Sequence, residues 1–315
     1  MKVLILSART GWHTDELCRA LVERGHHPRV APYESLIANL GRSNDSNDSN
    51  DSNVSNDSND PNDFDTVLPR IIPNGSLEQI IYRVDALHWI EDRGIPVVNS
   101  ARAIERSVDK FYTTALLQQA GLPVPETVVC ERADDAMDAI RRMLGSGGAV
   151  IIKPIFGSMG HGLVRIDDPE LAWRVVRPLE QMRSVFYVQR AIDHGGRDAR
   201  LFVVGGRVVG AIERTAPAGD WRTNVARGGT ARPIDASAEW CDYAIGAASA
   251  VGADYAGVDL LVSRTGEAFV LEVNGIPGWQ GLQAATGVDV ADAIVQQLEA
   301  RVAGRRELVA EHVHA

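Results

Sequence analysis

The sequence predicts an α/β region in the N-terminal third of the chain, followed by a longer α+β region. Short apolar segments alternate with amphipathic helical segments up to about residue 99, which is the pattern of a small parallel sheet. From about residue 100 the pattern changes to helices followed by hairpins with glycine-containing turns. With 315 residues, 45% of them hydrophobic, the chain is long enough for two or three domains with a substantial core.

The N-terminal region, residues 1–99, is predicted to contain four strands and two helices. The strands are expected at 2–6, 28–31, 66–69 and 95–99, and the helices at 14–24 and 77–93. No apolar run approaches the roughly 20 residues that cross a bilayer, and the first strand is too short for a signal peptide. Three widely spaced cysteines without a CxxC pair fit a reducing compartment. We therefore expect a cytoplasmic protein that does not contact a membrane.

A repeated Asn-Asp-Ser segment interrupts this region between Ser43 and Asp63. The segment holds six Asp, no Lys or Arg, and almost no apolar residue except Val54. Such a composition cannot bury enough surface to offset chain entropy, so 43–63 is predicted to be a disordered insertion. The segment supplies six of the negative charges behind a net charge of −10, and this acidic balance argues against general binding to nucleic acid.

The α+β region is predicted to divide into a central subdomain, a C-terminal subdomain and a tail. Strands are expected at 126–130, 149–153, 163–166 and 184–190, and a hairpin at 199–213 that turns at Gly205 and Gly206. Helices are expected at 168–181, 238–251 and 288–302. The predicted ranges are 100–190 for the central subdomain, 191–304 for the C-terminal subdomain and 305–315 for a polar tail.

Two strands around Asp259 and Glu272 are predicted to form a hairpin. With Thr265 and Gly266 as the two central residues of the turn, Asp259 faces Glu272 with Cβ atoms about 5 Å apart. Asn274 points to the same face, because side chains alternate along a strand. Two opposed carboxylates repel unless a cation lies between them, and oxygen ligands favour Mg²⁺ or Mn²⁺. An exposed acidic face is the alternative interpretation.

A glycine-rich loop follows Lys153 at the end of an Ile-rich strand. Its residues include Gly157, Ser158 and Gly160, and such a loop can direct N–H groups toward phosphate oxygens. It is neither a Walker A loop nor a dinucleotide fingerprint, because Gly-Lys-Ser/Thr is missing and a strand follows. A lysine that faces inward needs an anion. The segment indicates a flap over a nucleotide, with a plain hairpin loop as the alternative.

These motifs, in this order, resemble the ATP-grasp superfamily and specifically the RimK-like glutamate ligases. The similarity covers about residues 95–300 and implies an ATP-grasp fold preceded by a pre-ATP-grasp (Rossmann-like) domain. The motifs that carry it are Asp109-Lys110, Val150-Ile-Ile-Lys153-Pro, Gly157-Ser-Met-Gly160-His-Gly162, Gly196-Arg-Asp198-Ala-Arg200, Glu213-Arg214, Asp220-Trp-Arg222-Thr-Asn224, Gly257-Val-Asp259 and Glu272-Val-Asn274.

The resemblance implies a binding site for ATP. The residues expected to bind it are Lys110, Lys153, Gly157, Ser158, Gly160, Gln189, Arg190, Asp198, Arg222, Thr223 and Asn224. Arg222 and Asn224 are also expected to act as catalytic residues that face the γ-phosphate and the acyl intermediate, and Arg214 to bind the acceptor carboxylate. The resemblance further implies two Mg²⁺ or Mn²⁺ ions, held by Asp259, Glu272 and Asn274.

The implied activity is the ATP-dependent joining of L-glutamate to an acceptor carboxylate through an acyl phosphate. The segment Gly275-Ile-Pro-Gly-Trp279 is similar to enzymes that add glutamate to tetrahydromethanopterin-type pterin cofactors. A ribosomal-protein or other peptide glutamate ligase, a ligase for another amino acid, and a non-catalytic ATP-binding protein are the alternatives. The expected partners are small-molecule substrates, and the sequence leaves open whether the chain forms a homo-oligomer.

Overall fold

The computed structural model describes residues 1–38, 40, 59–157, 162–223 and 228–313, with side chains described as far as residue 305. The chain forms two compact units. One contains residues 1–102 and 289–315, and the other contains residues 103–288.

The first unit is built on a parallel sheet of three strands, as predicted. The strands are β1 (Lys2–Leu6), β2 (His27–Ala31) and β3 (Thr66–Pro69), in the order β2-β1-β3. Helices α1 (Trp12–Glu23) and α2 (Leu77–Asp92) complete its α/β pattern. The predicted strand at 95–99 is wrong, because this segment makes only one parallel bridge, from Val97 to Val67. Pro96 has no N–H to donate to a longer ladder.

The chain re-enters this unit after residue 288. Helix α9 (Val290–Val313) packs on α1, where Arg24 pairs with Asp292 at 3.0 Å and with Glu299 at 2.7 Å. Residues 289–304 therefore group with the N-terminal unit and not with the predicted subdomain 191–304. The helix continues to Val313, within the range 305–315 that was predicted as a tail.

Part of the predicted disordered insertion is ordered. Asp60 caps a 3-10 turn, Pro61–Asp63, by accepting a hydrogen bond of 2.9 Å from the Asn62 N–H, and the Pro61 side chain is buried. The prediction is therefore wrong at this end, where proline and an Asp cap fix the backbone locally. Residues 43–58 lie outside the described residues. Within the part of the chain that the structure describes, no helix is long and apolar enough to cross a membrane.

The second unit begins within α3 (Ala101–Val108), continues into α4 (Lys110–Gln119), and contains an antiparallel sheet of four strands. Helices α5 (Ala133–Gly145) and α6 (Pro169–Gln181) pack on one face, where alternate strand residues form a core. The other face carries polar side chains. The strand order is β4-β7-β5-β6, with β4 (Thr127–Cys130), β5 (Val150–Lys153), β6 (Val164–Ile166) and β7 (Phe186–Arg190).

A second antiparallel sheet in this unit has five strands in the order β10-β9-β8-β11-β12. Helix α7 (Ala238–Val251) covers one face with small residues, and α8 (Gln280–Thr286) follows the last strand. The predicted hairpin turn is confirmed at Gly205 and Gly206, which both have positive φ as a tight hairpin requires. The strands are β8 (Arg197–Val204), β9 (Arg207–Thr215), β10 (Thr230–Pro233), β11 (Tyr255–Val262) and β12 (Ala268–Asn274).

The hairpin of β11 and β12 places Asp259 directly opposite Glu272, as predicted, but by a different route. Val262 pairs with Ala268, and the Ser263 N–H donates to the Glu267 carbonyl at 2.8 Å, so residues 264–266 form a three-residue turn in place of the predicted two-residue turn. A β-bulge then places Leu271 as an extra residue on β12 and restores the expected pairing. The longer turn and the bulge shift the strand register by one residue in opposite directions. Asp259 and Glu272 are therefore opposite each other and share one face of the sheet.

Candidate functional site

A cleft in the second unit is lined by side chains from both of its sheets. It contains about 920 Å³ of space free of protein atoms, part of which is open solvent. Its wall is apolar in one part and charged in another, a combination suited to a ligand with a flat ring and an anionic group. The apolar lining residues are Ile151, Leu163, Ile192, Leu261 and Leu271.

Lys153 brings a buried positive charge to this cleft. It ends β5 on the polar face of the four-stranded sheet, directly opposite Tyr187 on β7, and its Nζ donates to Gln189 Oε1 at 2.6 Å. No carboxylate of the described residues lies within 4.0 Å of its ammonium group. Burial lowers the pKa of Lys153 to about 8, although the charge of Glu272 opposes the shift. Such a group gains from an anionic ligand.

Lys110 supplies a second cation from a different element. It is the first residue of α4, and its Nζ donates to the Gly157 carbonyl at 2.6 Å. Burial lowers the pKa of Lys110, and the charges of Glu272 and Asp109 oppose that shift. A lysine at a helix N-terminus also lies at the positive end of the helix dipole, which is unfavourable unless an anion is nearby. Both lysines therefore favour a phosphate in the cleft.

The five-stranded sheet contributes a row of buried ion pairs. Asp198 on β8 accepts two hydrogen bonds from Arg214 on β9, at 2.7 and 2.6 Å. Asp259 on β11 accepts two from Arg200 on β8, at 2.6 and 2.8 Å, and pairs with Arg214 at 2.9 Å. Burial alone would raise the pKa of Asp259, but the two guanidinium groups outweigh it and hold the pKa at about 2. Asp259 is therefore ionised at neutral pH.

The residues predicted to hold metal ions lie together on one face. Glu272 has no described lysine or arginine within 4.0 Å, and its Oε1 accepts a hydrogen bond of 3.2 Å from the Asn274 amide. The amide is assigned from its partners, and its oxygen accepts from Arg200 at 3.3 Å. The Asp259 carboxylate uses three of about four acceptor positions on arginines, so one remains for a cation.

This donor set fits a Mg²⁺ ion that is shared with phosphate oxygens. Among the described residues, no group of three or more His, Cys, Asp or Glu side chains is arranged to hold a metal. Magnesium is commonly bound through one or two carboxylates together with substrate phosphates. Asp259 and Glu272 would supply those carboxylates, and Asn274 would orient Glu272.

Other predicted residues have varied surroundings. Gly157, Gln189, Arg190, Asp198, Arg222 and Thr223 line the cleft. The Arg190 guanidinium donates to Glu126 at 2.6 Å, and that of Arg222 to Asp220 at 3.0 Å, so each is held by a neighbouring carboxylate. The Thr223 hydroxyl donates to Asp198. Ser158, Gly160 and Asn224 lie outside the described residues.

The surroundings of Arg214 argue against its predicted role as the binder of an acceptor carboxylate. Its side chain is only 4% exposed, and Nε and Nη2 are both used on Asp198 and Asp259. Strand pairing places Arg214 opposite Asp198, which makes it a partner for the protein's own carboxylates. Its positive charge compensates the two buried negative charges.

Sequence reasoning missed two residues of this site. Arg200 lies two residues after Asp198 and so shares its face, a spacing that could have identified it. Tyr187 has the same relation to Gln189 on β7. In contrast, the Gly275 to Trp279 segment has a packing role: the Trp279 ring is 1% exposed and lies edge-on to Phe202 at 6.2 Å.

Comparisons with known proteins agree with this geometry. Residues 107–298 match the RimK-like ATP-grasp domain, and residues 1–104 match the RimK pre-ATP-grasp domain. The chain is 35% identical over 262 residues to the tetrahydromethanopterin:alpha-L-glutamate ligase of Methanosarcina acetivorans, covering 75% of this chain and 80% of that protein. It is 34% identical over 308 residues to a probable alpha-L-glutamate ligase of Vibrio cholerae, covering 97% and 98%.

Solved structures show the same fold. A RimK-domain ATP-grasp protein of Sphaerobacter thermophilus superposes with a TM-score of 0.70 at 22% identity, over 94% of this chain and 99% of that one. The ATP-grasp ligase PsnB with its minimal precursor gives 0.71 at 23% identity, over 95% and 98%. With both domain families matched and relatives aligned over 80% and 98% of their length, the chain belongs to the RimK-like ATP-grasp family of ATP-dependent carbon–nitrogen ligases.

Proposed function

We propose that this protein joins the amino group of L-glutamate to the carboxylate of an acceptor molecule and couples this reaction to cleavage of ATP. The observation that carries the proposal is one cleft in which two desolvated lysines and two carboxylates meet. Lys110 and Lys153 would hold the triphosphate, and Asp259 and Glu272 would hold Mg²⁺. This combination of charges is what phosphoryl transfer from a nucleotide needs.

In the first step, an oxygen of the acceptor carboxylate attacks the γ-phosphorus of ATP. The bond between the γ-phosphorus and the β–γ bridging oxygen breaks, ADP leaves, and an acyl phosphate forms. The lysines neutralise charge on the phosphate oxygens, and we assign Arg222 the same role at the γ-phosphate. Bound Mg²⁺ reduces the repulsion between the two anionic reactants.

In the second step, the glutamate nitrogen attacks the acyl carbon. The carbon–oxygen bond to phosphate breaks, inorganic phosphate leaves, and the nitrogen loses a proton to give the amide. The intermediate would hydrolyse if water reached it, so the cleft must exclude water during this step. We assign that task to the glycine-rich loop that follows Lys153.

The proposed acceptor is a small carboxylate of the tetrahydromethanopterin type. The supporting observation is the 35% identity to a tetrahydromethanopterin:alpha-L-glutamate ligase. The Trp279 ring is buried, so it supplies no evidence about the acceptor, which an assay can identify. ADP release should be measured with glutamate and a panel of pterin carboxylates, carboxylate-ending peptides and small acids. ADP release that needs the peptide and ignores the pterin would contradict this acceptor.

The site assignment has its own test in Glu272→Gln. Loss of the Glu272 charge should raise the Mg²⁺ concentration needed for ADP release at least tenfold, since one of two carboxylate ligands becomes neutral. Glu267→Gln is the matched control, because Glu267 lies on the exposed turn of the same hairpin. Equal magnesium dependence in both variants would refute the metal assignment.

A further inference from the structure

Tyr187 is a buried residue next to Lys153 and Gln189 of the cleft, and the proposed reaction does not use it. Its ring is 1% exposed and lies 5.7 Å from the Lys153 ammonium group. Its hydroxyl oxygen lies 3.1 Å from Gln189 Nε2 and 2.8 Å from Thr114 Oγ1. Thr114 belongs to α4, so the hydroxyl of Tyr187 links the sheet to that helix.

The direction of every hydrogen bond in this chain of contacts is fixed. An ammonium group only donates, so Gln189 Oε1 accepts from Lys153 and the amide nitrogen must donate to Tyr187. The Thr114 hydroxyl donates to the Lys110 carbonyl at 2.8 Å, so it accepts from the tyrosine. One continuous relay therefore runs from Lys153 Nζ through Gln189, Tyr187 and Thr114 to the backbone of Lys110.

Two further features stabilise this orientation. Gln189 Nε2 also donates to Thr127 Oγ1 at 2.9 Å, so an amide turned the other way would face Lys153 with its nitrogen and lose two bonds. Burial raises the pKa of Tyr187, so its hydroxyl keeps the proton that the relay requires. A fully satisfied buried network of this kind holds its members in one geometry.

We propose that Tyr187 is a positioning residue that holds Lys153 and the first turn of α4 in the geometry needed to bind the triphosphate. This inference rests on the proposed function, in which Lys110 and Lys153 contact the ATP phosphates. Without the tyrosine hydroxyl, Gln189 loses one acceptor and Thr114 loses its donor. The hydrogen-bonded link between Lys153 and the backbone of Lys110 is then broken, although both lysines keep their positive charges.

The first experiment compares Tyr187→Phe with the wild-type protein. Removal of one hydroxyl from a buried relay should raise the Kd and the KM for MgATP about five- to tenfold, with kcat within about twofold. Tyr33→Phe is the matched control, since Tyr33 is a buried tyrosine of the other unit whose hydroxyl donates to the Arg70 carbonyl at 3.0 Å. The control should leave the Kd unchanged. An unchanged Kd in Tyr187→Phe would overturn the inference.

The second experiment is a double-mutant cycle with Thr114→Val, which removes the next hydroxyl of the relay. If Tyr187 and Thr114 act through one relay, the double variant should have a Kd for MgATP no higher than that of the single variant with the higher Kd. If the fold-increases in Kd of the two single variants multiply in the double variant, the relay is refuted. Should Tyr187→Phe fail to fold, Thr114→Val alone gives the test, because it must raise the Kd without lowering kcat.

A third variant, Lys153→Met, separates failure of this inference from failure of the proposed function. If Lys153→Met retains wild-type affinity, the lysine does not contact the triphosphate and both proposals fall. If Lys153→Met loses affinity while Tyr187→Phe does not, the relay is refuted and the proposed function stands.

Discussion

Binding of MgATP should weaken at alkaline pH because Lys153 loses its proton. Burial brings the pKa of Lys153 from the ordinary value of 10.5 down to about 8, so the free protein changes charge within an accessible range. The charges that act on it are those of Glu272, which opposes the shift, and of Lys110, which adds to it. A triphosphate binds the protonated form, so binding opposes this deprotonation.

The magnitude of this effect follows from the pKa of Lys153. The fraction of free protein with a protonated Lys153 is about 0.9 at pH 7 and about 0.1 at pH 9, because each pH unit beyond the pKa changes the ratio tenfold. The apparent Kd for MgATP should therefore rise about tenfold between these pH values. The terminal phosphate, with a second pKa near 6, is largely ionised throughout this range. Burial also lowers the pKa of Lys110, which acts in the same direction.

The assay is a titration of the protein with MgATP by calorimetry from pH 7 to pH 9. Lys153→Arg should bind more weakly at pH 7, because a planar guanidinium does not fit the lysine's contacts, but it should lose most of the pH dependence, because it cannot deprotonate. A flat profile in the wild type, or an undiminished slope in Lys153→Arg, would refute the reasoning.

Three further predictions concern stability. Arg214→Met should lower the free energy of unfolding by about 3–5 kcal/mol in urea titrations, because it leaves buried carboxylates without a partner. The control is Arg264→Met, which removes an ion pair with Asp193 that is more than two-thirds exposed. It should change the free energy of unfolding little. Trp279→Ala should cost about 3–5 kcal/mol in the same titrations, since a buried ring is removed. Asp259 has a folded pKa of about 2, below its ordinary 3.8, so its stabilisation is complete above about pH 4 and is lost as the pH falls through 2. When stability is followed during an acid titration, Asp259→Asn should lack the loss that the wild type shows as the pH falls through 2. A curve identical to that of the wild type would contradict this prediction.

The strands of the second unit and two of its hairpins were predictable from local pattern, whereas their exact registers were not. Alternation of apolar residues places Asp259 away from the helix-covered face without any knowledge of the turn. The bulge at Leu271 depends on how β12 fits against β11 within the whole sheet, and nothing local in the sequence marks it. The predicted carboxylate pair is thus correct, although the turn used to predict it is wrong.

The sequence also did not reveal which distant residues form ion pairs with each other. The sequence shows acidic residues at the start of the last helix, but only the folded chain shows their partners on α1. Asp289, just before α9, pairs with Arg19, and two acidic residues of α9 pair with Arg24. The partners of Asp259 are likewise distant in sequence, since Arg200 is separated from it by 59 residues. A single sequence does not reveal which strands are neighbours, so the carboxylate partners of Arg214 and the C-terminal end of α9 were not predicted.

The cations of the site divide into two kinds, and this division explains how the cleft stays folded before a nucleotide binds. Arg200 and Arg214 cannot lose a proton in a protein, so burying them requires permanent anionic partners, and Asp198 and Asp259 provide these. Lysine can lose a proton. The lowered pKa of Lys153 limits the cost of leaving it without a carboxylate within 4.0 Å among the described residues. Replacing that lysine by an arginine would therefore bury a charge that cannot be released, which is why this position favours lysine where the ligand supplies the anion.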